Sequence, residues 1–167
     1  MSPEHRRFLL LEQGVGSAVF NFALNAVIAW ALFRSLERVP MWGQQSIAGD
    51  TIGTCFFLPF FTALIVTPLV RRRVQAGGVS GLDWTHETHP QLAWLPAGTG
   101  KRAVVLGALC TLVIGSLSIV ALTALGVADL GFWPFVGFKA TFAAGLALLV
   151  TPVIALWALT VPLVASR

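Results

Sequence analysis

Residues 49–73 read G-D-T-I-G-T-C-F-F-L-P-F-F-T-A-L-I-V-T-P-L-V-R-R-R. About twenty apolar or small residues are entered through one acid and stopped by three arginines, the pattern of a membrane-spanning helix with a fixed direction. Three further segments of this kind lie elsewhere in the chain. The spans predicted are 8–33, 51–70, 103–126 and 135–163, with one long loop at 71–102. The fold class expected is therefore all-α: a polytopic membrane protein built as one domain, 1–167, around a bundle of four transmembrane helices.

Composition agrees with that class. The 167 residues are 56% hydrophobic and 11% charged, against roughly 25% charged in a soluble domain. So few charges cannot cover a water-facing surface of this size, so the lipid bilayer is the expected solvent. The net charge of +4 would suggest nucleic acid in a soluble protein. Here the basic residues sit in short clusters beside apolar runs, without a basic face carrying interleaved aromatics, so no nucleic-acid partner is expected. Cys55 and Cys110 each lie inside an apolar run and read as small buried side chains, not as a zinc or thiol redox motif. Arg6 and Arg7 precede a long run that holds Glu12, Asn21 and Asn25 and lacks a clear cleavage site. It reads as a retained first helix and not as a signal peptide.

The clusters also set direction. Arg6, Arg7, Arg71, Arg72, Arg73, Lys101, Arg102 and Arg167 fall on one side of the expected bilayer, and Arg34, Arg38 and Lys139 on the other. That asymmetry predicts cytoplasmic N and C termini and a cytoplasmic long loop, in a bacterial-type inner or plasma membrane. The connection at 34–49 is expected to be a turn with Trp42 at headgroup depth. The loop tryptophans Trp84 and Trp94 suggest a short surface-lying segment. A-L-I-V-T-P-L-V at 63–70 resembles A-L-L-V-T-P-V-I at 147–154. The two runs are either parallel hairpin repeats or a coincidence of apolar composition.

Small residues form ladders of period four. Thr51, Cys55, Pro59, Ala63 and Thr67 share one, Gly107, Thr111 and Gly115 a second, Gly137, Thr141 and Gly145 a third. Such ladders let membrane helices approach closely. Pro59 and Pro152 are expected to kink their helices.

The polar residues inside the spans carry the functional expectation. Gln13, Ser17, Asn21, Asn25 and Ala29 are spaced by four and form one stripe on the first helix. Asparagine amides in hydrocarbon cost several kcal/mol without partners, so the stripe must face another helix, another subunit or water. It is either interhelical glue or the lining of a path. Asp50 at the start of span two is expected to cap the helix or to accept a cation or a proton at the entrance of a cavity. Lys139 either snorkels to the interface or pairs with Asp50 or Asp129. Glu12 is expected to pair with Arg7 or a loop arginine. His86, Glu87 and His89 have the wrong spacing for a metalloprotease helix and read as a solvated loop.

No nucleophile with an oriented base is visible, and neither a cofactor nor a metal is called for, so the chain is not read as an enzyme. The leading expectation is a small transporter or permease. Ser17, Asn21, Asn25, Asp50, Thr54, Thr67, Thr151 and Lys139 are its candidate path residues, and a narrow four-span bundle suggests a homodimer or a larger membrane complex. The alternative is a non-catalytic structural or assembly subunit of a membrane complex.

Overall fold

The computed structural model describes residues 3–82 and 98–160. The expectations for Trp84, Trp94, His86, Glu87, His89 and Arg167, and for residues 161–163 of the fourth span, lie outside the described residues. Four helices are long and apolar enough to cross a membrane: α1 (Pro3–Phe33), α2 (Ile47–Gln75), α3 (Thr99–Ala124) and α4 (Phe132–Leu159). Each starts a turn or so before the predicted span, because the helix continues through polar end turns that hydropathy does not mark. Arg72 and Arg73 extend α2 in this way, as cations that complement the negative end of the helix dipole. The helices run on through Pro59, Pro68 and Pro152.

α4 is the centre of the bundle. Half of its most apolar window is buried, against 11% in α1. α1 packs along α4, α2 packs on both α4 and α3, and α1 makes little direct contact with α2. Two π-helical stretches, Phe8–Val15 in α1 and Thr111–Gly115 in α3, widen the turn. The first lets Phe8, Leu9 and Gly14 share the inward side with Asn25, Ala29 and Phe33 despite the drift of a four-residue repeat.

The ladders of small residues divide into two kinds. On α2, Thr51, Cys55, Pro59, Ala63 and Thr67 are all buried. On α3, Gly107 and Gly115 are buried against α2: a methyl group at Gly107 would lie 2.8 Å from the Phe56 carbonyl oxygen, and one at Gly115 3.7 Å from Cys55 Cβ. At this α2–α3 seam Gly115 meets the α2 ladder at Cys55, and Gly107 meets the neighbouring Phe56. On α4, by contrast, Gly137, Thr141 and Gly145 face outward, and nothing lies within 4 Å of where a side chain at either glycine would begin.

Within this mostly helical architecture, one element at the ladder end is not a helix. Residues 34–49 are not only a turn. A short strand, β1 (Arg38–Pro40), pairs antiparallel with β2 (Asp129–Gly131) in the α3–α4 connection, with Val39 opposite Leu130. Met41 N–H donates to Ala128 O at 2.8 Å and Phe132 N–H to Glu37 O at 3.0 Å, which extends the pairing at both ends. Arg38 Nε donates to Asp129 Oδ1 at 2.6 Å across it. Pro40 lacks a donor and occupies a pair that needs none. Beneath the ladder, Phe33, Val39, Met41, Ile47 and Phe135 form a closed apolar cluster. Trp42 and Trp133 stay exposed beside it, as interfacial tryptophans do. We call this the ladder end and the opposite one, with Arg6, Arg7, Arg71, Arg72 and Arg73, the basic end.

Candidate functional site: a polar groove between α1 and α2

Because α1 and α2 stand apart over α4, the bundle has a groove along one side. α1 and α2 are its walls and α4 its floor. Its volume is about 730 Å³, and its lining includes Ser17, Asn21, Asn25, Asp50, Thr54, Lys139 and Thr151. Seven of the eight residues expected to line a path thus meet in one space. The eighth, Thr67, is buried but lies on the α2 ladder outside the groove.

The α1 wall comes directly from the stripe. Asn21 Nδ2 donates to Ser17 O at 2.9 Å and Asn25 Nδ2 to Asn21 O at 3.0 Å, each one turn back along its own helix. These bonds occupy one amide hydrogen per side chain. No described residue donates to either amide oxygen, so both remain free to accept. Ser17 Oγ donates to Gly14 O at 2.9 Å and reaches Ala147 O of α4 at 3.4 Å. Gly14 makes that approach feasible, since a methyl there would sit 3.4 Å from Leu148 Cδ1 and Pro152 Cγ.

The α2 wall begins with a cap. Ser46 accepts from Gly49 N–H at 3.2 Å and is the N-cap of α2, so the capping role expected of Asp50 belongs to Ser46. Asp50, one turn further on, is released for another partner, and it pairs with Lys139 of α4. The side chains are 10% and 4% exposed respectively. Lys139 therefore does not snorkel: it is held inside the bundle by a carboxylate. Asp129, the other acid considered for Lys139, pairs with Arg38. The pair lies within the first turns of α2 and α4, near the ladder end. Thr151 is twelve residues further along α4, about 18 Å deeper at 1.5 Å per residue. Its hydroxyl is buried, lines the groove and has no hydrogen-bond partner.

The rims are apolar. Phe20 and Leu24 of α1 and Phe57, Phe61 and Ile65 of α2 line the opening, and each is between 42% and 65% exposed. The spacing 57, 61, 65 is a period-four apolar stripe that sequence reading passed over inside a uniformly apolar segment. Sequence reading also missed Gln44, Gln45 and Ser46, which close the ladder end of the groove. Gln45 Nε2 donates to Leu32 O at 3.1 Å and ties α1 to the start of α2. Outside the groove, at the basic end, Glu12 and Arg73 lie 2.6 Å apart. This is the pairing expected of Glu12, with the arginine supplied by α2.

The arrangement sets polar groups at intervals from Gln44 down to Thr151 in a largely apolar groove that opens sideways between two apolar lips. The chain matches no protein-family model, no curated protein and no solved structure.

Proposed function

We propose that this chain is a small multi-pass membrane protein of the transporter or permease type, in which the polar stripe of α1 lines a path between α1 and α2. The observation that carries this reading is the meeting of Ser17, Asn21, Asn25, Asp50, Thr54, Lys139 and Thr151 in one groove. Polar side chains placed inside spans are costly, and where they line a cavity they mark ligand or ion pathways. We further propose that the basic end lies in the cytoplasm of a bacterial-type plasma membrane, from seven described Lys and Arg residues toward that side against three on the other.

The test is solvent access. Single cysteines replacing Asn21, Asn25 and Thr54, in a chain lacking Cys55 and Cys110, are treated in intact membranes with a membrane-impermeant thiol reagent. Labelling of all three is expected. A dry helix seam leaves all three unlabelled and ends the proposal.

A second reading is favoured by a different observation. The Gly137, Thr141 and Gly145 ladder faces outward with open space before it, which suits an accessory subunit or a second copy packed on α4. Gly145→Leu should then abolish recovery of a stoichiometric partner, or of a dimer, in mild detergent.

A further inference from the structure

We infer that the groove takes the headgroup of a zwitterionic phospholipid, which enters sideways between α1 and α2 while its acyl chains stay outside the lips. This rests on the transport reading above and names the substrate class of that same site.

Three observations carry it. The first is the shape. The groove carries polar side chains from all three helices within a largely apolar lining, and its side opening is edged by exposed Phe20, Leu24, Phe57, Phe61 and Ile65. An amphiphile whose chains remain in lipid matches both surfaces at once.

The second is charge balance. The fixed charges inside the groove are Asp50 and Lys139, which neutralise each other while nearly sealed from their surroundings. Opening a buried pair is tolerable only if each member regains a counter-charge. A purely cationic or purely anionic head satisfies one member and strands the other. An ammonium–phosphate head satisfies both, with the ammonium against the Asp50 carboxylate and the phosphate against the Lys139 ammonium, and the site stays neutral throughout.

The third is the unspent hydrogen-bonding capacity beneath the pair. The Thr151 hydroxyl is buried and unpartnered, and the Asn21 and Asn25 side chains use only one amide hydrogen each, for their own helix. A buried polar group without a partner is unfavourable. The free donors can serve phosphate or ester oxygens, and the two amide oxygens can serve the ammonium, as the head moves from Asp50 toward Thr151.

The experiment uses the full chain in liposomes. Phosphatidylcholine and phosphatidylglycerol probes, each with a photoreactive acyl chain, are cross-linked to the protein and the modified residues located. Chain-labelled fluorescent phosphatidylcholine is followed in parallel for movement between leaflets. Cross-linking is expected on the lips, at Phe57 and Phe61 and at Phe20 and Leu24. It should favour the zwitterionic probe by at least about tenfold and fall by a similar factor in the neutral Asp50→Leu/Lys139→Met double variant. Thr151→Val, a nearly isosteric change, supplies the same test if the double variant fails to fold. Equal labelling by the anionic probe, or labels confined to other faces, overturns the inference. Selective labelling on the lips without any leaflet exchange leaves the ligand class standing and removes the transport reading. A helix of another protein recovered in the groove instead of lipid overturns the inference as well.

Discussion

Lys139 of α4 donates to Asp50 of α2, across 89 residues of sequence and with only 4% and 10% of the two side chains exposed. The pair is placed where two helix starts converge under the β1–β2 ladder. Its burial makes the two residues unequal to the surface pairs elsewhere. Arg38–Asp129 and Arg73–Glu12 are largely solvated, apart from Asp129 at 35% exposure, and pairs of that sort contribute about 0–1 kcal/mol.

Removing one member of the buried pair strands the other. Asp50→Leu or Lys139→Met alone should each lower stability by about 3–5 kcal/mol. The double variant should recover most of that loss, because two apolar side chains of similar volume leave no charge behind. Thermal unfolding in detergent, monitored by far-ultraviolet circular dichroism, gives the comparison. Additive losses in the double variant would show that the two side chains are not coupled.

The α2–α3 seam makes a prediction at a single glycine. A methyl at Gly107 meets the Phe56 backbone carbonyl at 2.8 Å and its ring at 3.0 Å, and a carbonyl inside a helix cannot step aside. Gly107→Ala should cost about 1–3 kcal/mol through overpacking. At Gly145, where the space is open, the same change should be neutral or gain about 0.5–1 kcal/mol from the lower backbone entropy of alanine in a helix. The midpoint of thermal unfolding should fall for Gly107→Ala and hold or rise for Gly145→Ala.

Much of this architecture is visible in the residues themselves. Four apolar stretches of span length stand out in the sequence and become the four long helices, and the stripe from Gln13 to Ala29 faces inward with its two amides. The small residues of the α3 ladder let α3 approach α2 closely at Phe56 and Cys55. What the sequence conceals is whatever depends on two distant segments meeting. Asp50 looks like a cap until Ser46 takes that role. The lips at Phe57, Phe61 and Ile65 vanish inside a run where every neighbour is apolar too. The Gly137 ladder has the same composition as the Gly107 ladder, yet one is covered and the other open, since packing partners are decided by the whole bundle. Strands of three residues carry no readable alternation, so β1 and β2 emerge only when residues 38 and 131 are seen side by side.

That hidden ladder is directly testable. Pro40 and Asp129 sit opposite each other in an antiparallel pair, within reach of a disulfide. In a background lacking Cys55 and Cys110, Pro40→Cys/Asp129→Cys should cross-link on mild oxidation and shift mobility on a non-reducing gel. The displaced pair Pro40→Cys/Val127→Cys should not. Cross-linking of the displaced pair, or of neither, would mean that the two connections do not pair in this register.

Thr151 separates stability from function. Its buried hydroxyl has no partner, and neither does that of Thr51. Valine replaces either residue with almost the same shape and removes the unsatisfied group, so both Thr151→Val and Thr51→Val should stabilise the chain by roughly 1 kcal/mol. Thr111 supplies the contrast, since its hydroxyl donates to Gly107 O at 2.8 Å and its loss should bring no such gain. The two orphaned threonines then part company. Thr51 lies outside the groove and Thr151 lines it. If the groove is a working site, Thr151→Val should make the chain more stable and less active while Thr51→Val makes it only more stable, the trade expected where an unsatisfied group is retained for a ligand. Thermal unfolding and leaflet exchange measured on the same preparations decide it. Equal behaviour of the two valine variants would reduce Thr151 to an ordinary packing residue.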